Sequence, residues 1–138
     1  MFKRYFSTIR PECYKLRKNL LEKYITHYKH CYCSLCSQNF PIELLDMAHL
    51  KPRCVLSVTE KMDINNVEFM CKLCHSIYDR GFVGINGNGI IEPSDILNKY
   101  RNLSVAKQLG YMYSRYNPNN AIFLNWHYMN IFKNNKYG

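Results

Sequence analysis

Acidic side chains are scarce in this chain: ten Asp and Glu stand against nineteen Lys and Arg, a formal charge of +9. That balance points toward polyanionic partners, nucleic acid first. Long apolar runs are missing as well. No stretch of about 18 apolar residues offers a helical membrane span, and the opening MFKRYFSTIRPECYKLRK has basic residues without the apolar centre of a secretory signal. A soluble intracellular protein with no membrane partner is the expectation. Low-complexity linkers are absent too, so nothing marks a domain boundary. The 138 residues, 47% of them hydrophobic, suffice for one modest core and are too few for two ordinary domains. A single domain over 1–138 is therefore expected, with a basic N-terminal helix in 1–30, a core in 31–92 and a C-terminal helical segment in 93–138.

Cysteine is not scarce. There are seven, an odd number that disulfides alone cannot pair. Cys33 with Cys36, and Cys71 with Cys74, form two C-x-x-C units, leaving Cys13, Cys31 and Cys54 over. Two such units fit a four-thiolate zinc site better than a redox pair. Four soft sulfurs complete a tetrahedron and leave no open position, so this zinc is expected to hold structure. Cys31 could exchange with Cys33 as a ligand, although the C-x-x-C spacing favours Cys33.

Along the chain, Leu16, Leu20, Leu21, Tyr24, Ile25 and Tyr28 recur at helical spacing after Pro11, predicting an amphipathic helix to about Lys29. Lys3, Arg4, Arg10, Lys15, Arg17, Lys18, Lys23 and Lys29 crowd this region against Glu12 and Glu22 alone. CYCSLC reads as a knuckle, and IELLDMAHLKP as a strand ending near Pro52. A second short strand is expected around Val55 to Val58. NNVEFM reads as a loop entering a helix that Gly81 stops. FVGINGNGII predicts a β-hairpin. Ser94 is a reasonable N-cap for a helix carrying Ile96, Leu97, Tyr100, Leu103 and Val105, and a final helix is expected from about Asn120, with Trp126 and His127 as packing residues.

Taken singly, His49 and Asn66 say little. His75 and Asp79, four apart on a predicted helix, project from one face and can both reach one ion. The order AHLKP, NVEFMCKLCH and YDRG resembles the HNH endonucleases, the ββα-metal or His-Me finger nucleases, in their zinc-stabilised form. The matched region runs from about Cys33 to Ile91. The resemblance implies an α+β fold: a ββα-metal core with a structural four-cysteine zinc site, flanked by N-terminal and C-terminal helices. It implies that His49 is the general base, that Asn66 fixes the loop between the β-hairpin and the helix, and that His75 and Asp79 present a catalytic magnesium or manganese ion. It further implies hydrolysis of DNA phosphodiesters, one strand per active site, with double-stranded DNA as the partner and the protein acting as a monomer or homodimer.

One position departs from the pattern. Ala48 stands where the family commonly has Asp or His as an additional ligand. Asp46 lies on the same side of the strand, two residues earlier, and is the replacement the alternation offers; Glu43 and water are alternatives. Lys51, Arg53 and Arg80 could clamp phosphate or be ordinary surface charges. The rival expectation is a catalytically weakened, zinc-stabilised protein that binds nucleic acid or supports an assembly; an RNA substrate is a third. The expected location is intracellular, in cytoplasm, nucleus or an organelle with DNA, with a viral origin as a compositional hint.

Overall fold

The computed structural model describes residues 11–25, 27–99, 109 and 111–134. Helix α1 spans Pro11–Tyr24, with Glu12 in its first turn and Lys23 in its last, each complementing the helix dipole. Leu16 and Leu20, four apart, are buried, and Leu21 and Tyr24 pack partly against the same core. The helix stops short of Lys29. Tyr28 and Lys29 take positive φ values of 67° and 57°, turning the chain into the next strand and leaving Ile25 and Tyr28 exposed rather than in the core. Of the basic cluster, Lys3, Arg4 and Arg10 lie outside the described residues.

Three two-stranded antiparallel hairpins follow. Strands β1 (His30–Tyr32) and β2 (Asn39–Pro41) enclose the knuckle, a tight turn in which Ser37 has φ 63° and donates its N–H to the Cys33 carbonyl at 2.9 Å. Strands β3 (Leu45–His49) and β4 (Val67–Cys71) pair with Ala48 opposite Glu68 and His49 opposite Val67. Strand β4 lies where a loop was expected. Its five residues are all buried, the carboxylate of Glu68 included, so the alternation of buried and exposed positions that betrays a strand is missing. No strand forms at Val55 to Val58; a short 3-10 turn covers Arg53–Val55, and Val58 is exposed.

Helix α2 (Lys72–Asp79) starts directly from β4, with the Cys71 sulfur accepting the Cys74 N–H as its N-cap. Its end is a Schellman motif: Phe82 N–H bonds the Ile77 carbonyl and Gly81 N–H the Tyr78 carbonyl, both at 3.0 Å. Gly81 supplies the required positive φ of 72°. The hairpin of β5 (Val83–Ile85) and β6 (Ile91–Pro93) forms as expected. Ser94 caps α3 (Asp95–Lys99), its hydroxyl accepting the Leu97 N–H; Tyr100, Leu103 and Val105 lie outside the described residues. Helix α4 (Ala121–His127) runs on into a wide π-type turn over Tyr128–Phe132. The result is a mixture of helices and small sheets around one buried cluster, which draws Leu20 from α1, Phe69 and Met70 from β4, Tyr78 from α2, Val83 and Ile85 from β5, and Phe123 and Leu124 from α4.

Candidate metal centres

The knuckle and the junction of β4 with α2 bring Cys33, Cys36, Cys71 and Cys74 together. Their sulfurs all lie within 4.8 Å of one another, and all four residues are buried. A zinc tetrahedron with bonds of about 2.3 Å has edges of about 3.8 Å, so this donor set can hold a structural metal such as zinc with little adjustment. The thiols already act on one another: hydrogen bonds from Cys36 and Cys74 draw the Cys33 thiol down to about 2, and the same proximity pushes Cys36 up to about 12. Cys31 stands apart. Its buried thiol donates to the Tyr32 carbonyl and is raised by burial, with Arg115 and Glu68 as charged neighbours.

Directly after Cys74 comes His75, on the outward side of α2. Its Nδ1 lies 3.0 Å from Asp46 Oδ2 on β3 and its Nε2 3.0 Å from Asp79 Oδ2 one helical turn on. The second oxygen of Asp46 accepts from Lys72 Nζ at 2.7 Å. Asp79 and Asp46 together push His75 up to about 9, with the Asp79 hydrogen bond the larger cause and burial working against it. Burial would raise Asp46, but Lys72 and His75 outweigh it and hold the carboxyl below its ordinary value. Asp46, Lys72, His75, Ser76, Asp79 and Arg80 line an open depression of about 410 Å³.

His49 ends β3 and does not line that depression, yet it senses the same charges. Burial pushes its pKa down, Asp79 opposes and His75 assists. The imidazole is thus neutral at pH 7, the form that can accept a proton. Its backbone neighbour is fixed to α2: the Leu50 carbonyl accepts the Tyr78 hydroxyl at 2.7 Å. No sequence pattern singled out Tyr78 for this; the only hint is a polar tip on an aromatic otherwise suited to a core.

Asn66 is buried, and its side chain grips the Lys51 backbone from both sides. Oδ1 accepts the Lys51 N–H at 2.7 Å, and Nδ2 donates to the Lys51 carbonyl at 3.1 Å. The Leu50 N–H also reaches the Asn66 carbonyl at 2.8 Å. The loop secured is therefore the one joining β3 to β4; the segment between hairpin and helix has no length to secure, because β4 runs straight into α2.

Of the expected phosphate clamps, Lys51 pairs with Glu60 at 3.1 Å and lies over the Trp126 ring, while Arg53 pairs with Glu12. Arg80 faces the depression, and Lys72, which the sequence did not single out, faces it too. Glu43 lies in a short turn before β3 and does not line the depression. His127 is buried against Tyr78. Among the described residues, no helix is long and apolar enough to cross a membrane. No protein-family model matches the chain, and no curated protein matches it.

Proposed function

We propose that the protein is a metal-dependent endonuclease of the HNH type, with β3, β4 and α2 as its ββα unit and the four-cysteine site as its structural zinc. What supports this reading is that His75 and Asp79 stand 3.0 Å apart on α2 and are the charged neighbours that act on His49 at the end of β3. His75 and Asp79 would hold magnesium or manganese, which stabilises negative charge developing on the scissile phosphate and the leaving oxygen. His49 takes the proton of a water molecule as its oxygen attacks phosphorus in line. The bond to the 3′ oxygen breaks and that oxygen takes a proton from solvent water, giving a 5′-phosphate and a 3′-hydroxyl. Asn66 and Tyr78 are positioning residues: they hold the Lys51 backbone and the Leu50 carbonyl, directly after His49 at the end of β3.

Lys72 and Arg80 at the depression are the cations best disposed toward a phosphate backbone, and double-stranded DNA is the substrate proposed. Lys51 and Arg53 do not line the depression and are the weaker choices on that ground; pairing does not separate the four, since Lys72 is itself held by Asp46. A second reading, a zinc-stabilised protein that binds nucleic acid or supports an assembly without cutting, is favoured by Ala48, which is fully buried and offers no ligand.

The two readings part in a plasmid assay. Supercoiled DNA is incubated with zinc-loaded protein and magnesium or manganese, beside an EDTA control and a His49→Ala protein. Metal-dependent nicking lost in His49→Ala establishes the nuclease. DNA binding by both proteins with cutting by neither, at any divalent ion, overturns it in favour of the binding protein.

A further inference from the structure

We infer that Asp46 is a positioning carboxylate for His75 rather than a ligand of the divalent ion, an inference that rests on the His75–Asp79 ion site proposed above. Both oxygens of Asp46 are already committed. Oδ2 faces His75 Nδ1 at 3.0 Å and Oδ1 faces the Lys72 ammonium at 2.7 Å. A cation at Oδ1 would meet Lys72, a like charge. Asp79 Oδ2 faces Nε2 at the same 3.0 Å, but Asp79 is the more exposed carboxylate, 56% against 32%, and is the one a hydrated ion reaches from solvent.

The ring geometry points the same way. The two nitrogens of an imidazole direct their donors and lone pairs outward on different sides of the ring, so one ion cannot be reached through both. Asp79 lies on the Nε2 side at 3.0 Å and Asp46 on the Nδ1 side at 3.0 Å. An ion shared by His75 and Asp79 therefore occupies the Nε2 side. With Asp46 accepting from Nδ1–H, the tautomer is fixed so that the Nε2 lone pair faces the ion, the arrangement by which a carboxylate behind a ligating histidine orients the ring and raises its basicity. Lys72 completes the chain by pairing with the other oxygen of that carboxylate at 2.7 Å. Asp46 precedes Ala48 by two residues on β3, so the strand position facing the site contributes an orienting group while the next such position contributes none.

The test is manganese binding to the zinc-loaded protein by calorimetry, together with the number of exchangeable waters on the bound manganese from water-proton relaxation. Asp46→Ala is expected to weaken manganese about 10- to 100-fold with the water number unchanged from wild type. Asp46→Asn, which keeps an oxygen facing Nδ1–H, is expected to recover most of that affinity. Asp79→Ala, which removes a ligand, is expected to add one water. The inference is overturned if Asp46→Ala also adds a water, which would make Asp46 a ligand, or if it leaves affinity unchanged, which would leave it no role. A wild type that binds no manganese would overturn the ion site itself and this inference with it. Intact manganese binding alongside failed plasmid nicking would leave the role of Asp46 standing and overturn only the nuclease.

Discussion

His127 lies flat on Tyr78, with ring centroids 3.7 Å apart and planes inclined by 12°, and donates from Nε2 to the Tyr78 carbonyl at 2.7 Å. This stack fastens α4 to the end of α2, and Tyr78 in turn fastens Leu50. Burial pushes the His127 imidazole down to about 4, although the Tyr78 hydrogen bond and Asp79 oppose it. Between about pH 6.5 and 4 the unfolded chain binds a proton that the folded chain refuses, so stability is lost as pH falls through that window. The full effect is about 3 kcal/mol. In urea unfolding at pH 7.5 and 5, wild type should lose about 2 kcal/mol more than His127→Gln; the cysteine site contributes equally to both proteins and cancels. Parallel losses would show that His127 does not titrate between the two states.

Glu68 gives the opposite slope. Buried on β4, it is raised to about 7, with Arg115, Lys23 and Tyr24 only partly offsetting the burial. As pH rises from about 4.5 through 7, the unfolded chain releases a proton that the folded chain keeps, and stability falls. Glu68→Gln should therefore gain about 2 to 3 kcal/mol relative to wild type on going from pH 5 to pH 8.5. A gap between the two proteins that does not move with pH would contradict this.

Metal content separates the cysteines. Elemental analysis should find one zinc per chain, retained by Cys31→Ser and Cys54→Ser and lost by Cys33→Ser or Cys74→Ser. Because the site joins the knuckle to the β4–α2 junction, a strong chelator should also remove much of the far-ultraviolet circular dichroism. Zinc kept by Cys33→Ser and lost by Cys31→Ser would reverse the assignment.

Gly84 permits a close approach by the C-terminal turn. A Cβ there would stand 2.5 Å from Cγ of Phe132, whereas one at Gly87 would meet nothing within 4 Å. Gly84→Ala should cost about 1 to 3 kcal/mol by overpacking, and Gly87→Ala should be nearly silent. Thermal melts of the two variants check this, and equal melting temperatures would refute it.

The four-sulfur site was legible because a metal demands fixed ligand spacing, and C-x-x-C meets it locally without knowledge of the rest. His75 and Asp79 were legible for a related reason, since four residues make one helical turn. What the sequence concealed depended on tertiary surroundings. Strand β4 is buried on both faces and shows no alternation. Helix α1 looked longer than it is because Ile25 and Tyr28 continue its apolar period, although the helix ends at Tyr24 and the chain turns away at the positive φ of Tyr28. The occupation of Lys51 and Arg53 by Glu60 and Glu12 joins residues 9 and 41 positions apart, and no local pattern carries that. Lys72 was overlooked because an isolated lysine on a helix looks like solvent-facing charge until Asp46 is placed beside it.

The grip of Asn66 on Lys51, with Leu50 held by Tyr78, closes the β3–β4 loop at its neck. The neck fixes the end of β3 whatever the length of the loop beyond it, and lengthening an already closed loop costs entropy only logarithmically. The segment around the exposed Val58 is thus a natural graft point: a peptide tag or a small recognition module inserted there would ride on the protein while the spacing between His49 and His75 stayed as it is.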